Sequence, residues 1–471
     1  MNPSASLQST RSSVATSVAT AAAGRTRDLL QAPLLPTLFR LATPNVIGLF
    51  ATTVVIGYDG YILGRLGADA LAGVALVFPL SMLMLQMSAG GIGGAVTAAV
   101  ARALGGGRGD EANRLAQHAL LIACVLAALF TLAMLGFGSS IYAAMGGRGA
   151  ALDAALAYST VLFGGALVLW LANVLAAIVR GAGNMLLPSV MLTATAAVHL
   201  LLCPLLVFGW GPVAGLGVGG AALSSLCTNA LAGAVLIAYL LRGKGAVQLR
   251  LGGWQLRPDL LRAILRVGAP ASLSPVLSNG SIAAATALIG SYGTAALAGY
   301  GVAARLEYIM VPIAFGFGTA LTTLVATNMG AGQQERALRA AWTGGWVVAA
   351  ITGAIGVVAA IAPELWMNRF SSDPAVLEFG TAYLHIVGAC YSLFGLGLAL
   401  FFASQGAGRM FWPLAGSVAR LAVIAVGGWI AVHLFHAPAA AFFIIIAAGF
   451  AIYAVTIAGA IRLGSWAQRQ A

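Results

Sequence analysis

Long apolar stretches of about 20 residues or more, separated by short clusters of glycine, proline and charge, set the pattern of this chain. They run near residues 38–58, 73–100, 115–137, 152–176, 186–208 and 218–241, and then near 264–290, 297–326, 341–363, 380–403, 412–434 and 438–461. A helix of about 20 apolar residues spans the roughly 30 Å hydrocarbon core of a bilayer. With no water there, the backbone must satisfy its hydrogen bonds inside the segment, which favours helices. The pattern therefore predicts an all-α integral membrane protein with twelve transmembrane helices. Between the sixth and seventh lies a polar link, where Arg242, Lys244, Arg250, Arg257, Arg262 and Arg266 face the single acid Asp259. The expected organisation is a disordered cytoplasmic tail over 1–33, an N-lobe over 34–242, a cytoplasmic linker over 243–260, a C-lobe over 261–463 and a cytoplasmic tail over 464–471.

Composition and charge sharpen the picture. Only 8% of the 471 residues are charged, against about 25% in soluble proteins. The net charge of +12 is spread between apolar segments rather than clustered on one face, so it argues for topology and against nucleic acid. The N-terminal tail and first turn, the even-numbered loops and the C-terminus hold 19 of the 24 Lys and Arg. By the positive-inside rule both termini are cytoplasmic, which demands an even number of crossings. The first 33 residues, with Arg11, Arg25 and Arg27 and no acid before Asp28, resemble a transit peptide in composition but lack the apolar core of a secretory signal.

The halves repeat. LGGGRGDEANRLA (104–116) lies over MGAGQQERALRAA (329–341), and RGAGNMLLP (180–188) over QGAGRMFWP (405–413), both at an offset of 225. Nearer the start of each half GADALAG (67–73) lies over GTAALAG (293–299), and Pro44 over Pro270, at 226. One deletion reconciles the two offsets. Six helices per repeat is an even number, so the repeats are parallel, which implies two six-helix bundles related by a pseudo-two-fold axis along the membrane normal. The Gly-rich turns read as tight turns and helix C-caps. They are not phosphate cradles, because no GxxxxGK[ST] follows a strand.

Few residues carry candidate chemistry. Asp59 stands at the end of the first apolar stretch, and a carboxylate at membrane depth costs roughly 2.5–3.5 kcal/mol on insertion scales, so it persists where it faces protein or water. A wet helix boundary is the alternative. Glu307, near the expected midplane of helix eight, could bind protons or a cationic substrate, with Arg305 or Arg420 as counter-charge; a structural ion pair between C-lobe helices is the alternative. Tyr58, Tyr61, Tyr300 and Tyr308 fit an interfacial aromatic belt or packing as well as a cation-binding cage. Cys124, Cys203, Cys227 and Cys390 sit in apolar segments without metal-like spacing and read as free buried thiols. There is no HExxH, no paired CxxC and no Ser/His/Asp set, so neither catalysis nor a cofactor is indicated. His118 and His385 receive no role.

Several of these stretches resemble the multidrug and toxic compound extrusion (MATE) transporters: helix one with Pro44, YDGYILGRLGADALAGVALVFP, ARALGGGRGDEANRLA, RGAGNMLLP, CPLLVFGWGP and AARLEY, covering about residues 37–463. The resemblance implies an inner-membrane antiporter, taken as a monomer, that exports organic cations and other drugs by alternating access against inward H+ or Na+. It also implies that Asp59 is the N-lobe coupling carboxylate, that helix one bends at Pro44, and that Asn173 is an N-lobe polar residue in helix four. Where the family commonly shows Asn and Asp before the helix-five proline, this chain has His199 and Cys203. Ser278 stands where one branch has a helix-seven glutamate. Na+ wants several oxygen ligands, whereas imidazole titrates near pH 6.5 unless perturbed. The expectation is therefore H+ coupling through Asp59 with His199 as partner; a packed, hydrogen-bonding His199 is the alternative. A lipid-linked oligosaccharide flippase of the same superfamily is the alternative function, less consistent with twelve helices and few intramembrane arginines.

Overall fold

A computed structural model describes residues 24–466, apart from 212, 244, 251, 253 and 254. It contains eleven helices long and apolar enough to cross a membrane, and a twelfth span is a bent pair. In chain order they are α1 Leu34–Gly64, α2 Ala68–Gly105, α3 Gly109–Ala144, α4 (Gly149–Gly164 and Ala166–Gly181), α5 Leu186–Phe208 and α6 Val218–Leu241. The second half continues with α7 Pro258–Gly290, α8 Thr294–Gly330, α9 Gln334–Ile361, α10 Pro374–Ala407, α11 Phe411–Leu434 and α12 Ala439–Arg462. Most run several residues past the apolar stretch that announces them, because the hydrocarbon core sets a minimum length and the helix continues into the interface until a turn residue ends it. In α4 the two segments meet at 48°, where Gly165 departs from helical geometry with φ −93° and ψ 13°. A short ribbon pairs Gly209–Trp210 with Val213–Ala214 and closes the α5–α6 connection.

Three boundary expectations change. The tail expected over 1–33 is helical over 24–31. Its Leu29 is buried, and the Leu29 carbonyl accepts from Asn328 Nδ2 at 3.1 Å; residues 1–23 lie outside the described set. In the C-terminal tail the turn over 463–466 buries Trp466, while 467–471 lie outside it. The linker ends at α7's start, and its backbone is tied to α3. Asn113 Oδ1 accepts from the Gln248 N–H at 2.8 Å, and Gln117 Nε2 donates to the Arg250 carbonyl at 2.6 Å. His118 Nε2 accepts from the Arg257 N–H at 2.9 Å while Nδ1 donates to the Arg114 carbonyl at 2.8 Å. His118 is thus a structural clamp.

The described residues form two compact units. The first gathers Thr43–Ala269, Ala326–Gly332 and the 24–31 helix; the second gathers Pro33–Ala42, Pro270–Val325 and 333–466. The division falls inside α1 just before Pro44 and inside α7 immediately before Pro270, so each lobe begins later than its first helix. Both prolines are accommodated within continuous helices.

The duplication survives in atomic detail. Thr97 Oγ1 donates to the Ala177 carbonyl in the first unit and Thr322 Oγ1 to the Phe402 carbonyl in the second, each at 3.0 Å. A Cβ on Gly181 would lie 2.8 Å from the Thr97 carbonyl oxygen, and one on Gly406 would lie 2.6 Å from that of Thr322. Glycine is needed at both places for the backbones to approach, as in small-residue helix interfaces within membranes. Large apolar side chains such as Phe137, Leu201 and Ile361 are exposed, as lipid-facing residues are.

Candidate functional site

Asp59 lies within α1, five residues before its end at Gly64, about 8 Å along the axis. The apolar stretch suggests a helix ending near 58, so the longer helix turns a boundary residue into one held on a helical face. On α5, His199 and Cys203 are four residues apart and share a side. That side meets Asp59. His199 Nε2 is 2.7 Å from Asp59 Oδ1, and the Cys203 thiol donates to the same oxygen at 3.5 Å. The second ring nitrogen of His199 is 3.0 Å from Ser224 Oγ on α6. Ser224 is held in a further step, since the Ser224 carbonyl accepts from Thr228 Oγ1 at 3.0 Å.

The geometry defines what this group can do. His199 is almost fully enclosed, with 3% of its side chain exposed, while Asp59 retains 19%. A proton on Nε2 is donated to the carboxylate, and the Ser224 hydroxyl then donates to Nδ1. If Nδ1 also carries a proton, the same hydroxyl rotates and accepts it. The imidazole can therefore be neutral or cationic with both ring nitrogens satisfied, while the carboxylate keeps part of its surface uncovered by protein. Beneath it lies a small apolar cluster of Ile62, Leu63, Cys203, Val207, Val218 and Ala221, against which Tyr58 and Tyr158 pack. Tyr58 thus supports the site from its apolar side. Asn173 has a different partner: its Nδ2 donates to Ser88 Oγ at 2.9 Å, within the π-helical turn Gln86–Ile92 of α2.

The second unit holds a different carboxylate. Glu307 lies thirteen residues into α8, about 20 Å from its start, and Glu307 Oε1 accepts from the Tyr383 hydroxyl of α10 at 2.6 Å. Tyr383 in turn meets Tyr300 and Phe443 edge-on, with centroids 5.3 Å apart in both pairs. Arg420 of α11 is buried, with its guanidinium 4.6 Å from the Phe450 ring centroid. Arg305, expected as a counter-charge, does not serve as one: it is exposed, 5.8 Å from the Phe370 ring centroid. Positions 305 and 307 are about 200° apart around a helix of 3.6 residues per turn, so they cannot share a face. Among the described residues no ion pair joins Glu307 to Arg305 or Arg420.

Sequence reasoning missed Ser224, Tyr158 and Tyr383. Ser224 and its neighbours Ser225 and Thr228 interrupt an apolar helix, which is a visible signal, but nothing along the chain connects them to a histidine 25 residues earlier.

Comparison with known proteins places this geometry. The MatE family model matches residues 44–205 and again 270–430, an offset of 226 at the start and 225 at the end, as the internal repeat requires. The chain is 28% identical over 385 residues to the FAD transporter of Shewanella oneidensis, covering 80% of this chain and 82% of that one. It is 25% identical over 401 residues to the probable multidrug resistance protein YoeA of Bacillus subtilis, covering 84% and 83%. In fold it is similar to a MOP superfamily transporter from Pyrococcus furiosus, with a TM-score of 0.85, 23% identity and coverage of 93% and 98%. An outward-facing multidrug resistance MATE family transporter gives 0.83 at the same identity and coverage. With the family model matching well over half of its length, in two copies, the chain belongs to the MatE family of membrane transporters.

Proposed function

We propose that the protein is a proton-coupled multidrug efflux antiporter, exporting organic cations and amphipathic compounds by alternating access from a bacterial inner membrane, with both termini cytoplasmic. The observation that carries this reading is the 2.7 Å contact between Asp59 and His199. A carboxylate paired with an imidazole can hold a proton, release it when a cationic cargo arrives and regain it from the opposite side. The donors around Asp59 favour H+ over Na+, because a hard monovalent cation prefers several oxygen ligands and two of the three donors here are nitrogen and sulfur. Pro44 is the point at which α1 bends to alter the surroundings of Asp59. Glu307 is a secondary site that shapes cargo selection in the C-lobe, and the protein works as a monomer.

The MatE match favours drug export over the oligosaccharide-flippase alternative. A second cargo class rests on the relative from Shewanella oneidensis, named an FAD transporter: a flavin dinucleotide, bound through the buried Arg420. Everted vesicles separate these readings. Ethidium efflux should follow an imposed pH gradient, ignore a sodium gradient and disappear in Asp59→Asn. Efflux that follows sodium and survives the substitution contradicts the proposal, and FAD accumulation with no ethidium transport favours the second cargo.

A further inference from the structure

We infer that Asp59, His199 and Cys203 form a reversible binding site for a zinc-class divalent ion. The three donor atoms, one oxygen, one nitrogen and one sulfur, all lie within 4.8 Å of one another. Zinc takes tetrahedral coordination with bonds of about 2.0 Å to oxygen, 2.0 Å to nitrogen and 2.3 Å to sulfur, which sets ligand separations of roughly 3.3 Å for oxygen to nitrogen and 3.5 Å for oxygen to sulfur. Asp59 Oδ1 and Cys203 Sγ already stand 3.5 Å apart. The 2.7 Å contact to His199 Nε2 has to open by about 0.6 Å, a change that rotation of the carboxylate supplies.

Three further features suit an ion of this class. The second nitrogen of His199 is held by Ser224 at 3.0 Å, the outer-shell contact that fixes a ligating imidazole in orientation and tautomer. A carboxylate and a thiolate together neutralise a divalent charge, so the loaded site is electrically neutral among apolar helices, where net charge is costly. The mix of carboxylate, imidazole and thiol suits zinc rather than magnesium, calcium or sodium. Binding is balanced by loss of the Cys203 thiol proton, and of any proton shared by Asp59 and His199, to the medium. The partly exposed Asp59 provides the entry, and a water completes the fourth position. Since His199 and Cys203 belong to α5 and Asp59 to α1, the ion ties the two helices together.

The functional consequence rests on the coupling reading: an ion seated here displaces the transported proton and stops efflux. The full chain, purified in detergent with Cys124, Cys227 and Cys390 replaced by alanine, leaves Cys203 as its only thiol. Titration with Co2+ is expected to give a thiolate-to-cobalt absorption band at one equivalent, removed by Zn2+. His199→Gln should weaken binding at least tenfold, and Ser224→Ala about tenfold. Thermal unfolding without metal confirms that each variant is folded, and zinc should raise the melting temperature of the parent but not of His199→Gln. Absence of the band in the folded parent, or equal cobalt affinity in folded His199→Gln, overturns the site. Binding without inhibition of efflux supports the site and contradicts the coupling reading; efflux lost in Asp59→Asn with no cobalt band does the reverse.

Discussion

The two units present two carboxylates in apolar helices, and their surroundings differ in kind. Asp59 is paired with a group that can itself carry a proton, and part of its side chain is left uncovered by protein. Glu307 is paired with a tyrosine hydroxyl, a poor proton carrier at neutral pH, and that tyrosine is wedged edge-on between Tyr300 and Phe443. One arrangement suits exchange. The other suits a fixed anchor that ties α8 to α10 within the C-lobe. The difference is the more telling because it is built on a duplicated backbone. The offset of 226 carries Asp59 onto Ala285, and the offset of 225 carries His199 onto Ile424 and Cys203 onto Gly428. Backbone contacts such as Thr97 to Ala177 and Thr322 to Phe402 are kept in both copies, while the ionisable chemistry occupies different places.

That contrast can be broken or sharpened by substitution. The largest effect is expected from Asp59→Asn, which should reduce proton-driven efflux to the background of empty vesicles while leaving the protein folded and in the membrane. His199→Gln comes next: losing a hydrogen bond to a charged group is worth about 1.5–3 kcal/mol, or roughly tenfold to a hundredfold in proton-driven transport at the conversion of 1.4 kcal/mol per tenfold. Gly181→Ala and Gly406→Ala test the shared scaffold instead. Each places a methyl group within 3 Å of a backbone carbonyl, so each should destabilise its own unit by about 1–3 kcal/mol, seen as similar drops in melting temperature in detergent. Strongly unequal drops would show that the repeats have diverged in packing as well as chemistry. The smallest effect belongs to Glu307→Gln, whose amide oxygen still accepts from Tyr383. Efflux of ethidium should stay within about fivefold of the parent, consistent with a change of around 1 kcal/mol in one hydrogen bond, and a change in the range of drugs resisted is the expected readout.

Much of the architecture is legible in the linear chain for physical reasons. A bilayer imposes a length of about 20 apolar residues per crossing, and the loops between them concentrate Gly, Pro and Arg, so α5 and α6 emerge with their bounds as expected. Most helix ends elsewhere lie deeper in the polar flanks, because nothing in apolar pattern marks where an interfacial turn stops. The short helix over 24–31 escaped notice because the stretch itself is polar, with Arg25, Arg27, Asp28 and Gln31; the buried Leu29 anchors it. Asp59 stands out as a lone acid, and His199 as a departure from the resembling family's Asn, but their contact spans 140 residues and depends on the rotation of α1 against α5. Ser224 is one of several hydroxyls in α6 and becomes distinctive only when the imidazole faces it. Arg305 misleads in the other direction: two residues from Glu307 in the chain, it lies on the far side of the helix.

The most direct test of Asp59 as the exchange site is to add ethidium to the purified protein in weakly buffered detergent solution and measure the protons released. Release of about one proton per bound ethidium by the parent and by Glu307→Gln, with none from Asp59→Asn, is the result expected from a carboxylate–imidazole pair. Equal release from Asp59→Asn, or loss of release in Glu307→Gln alone, would move the exchange out of the first unit and contradict the account.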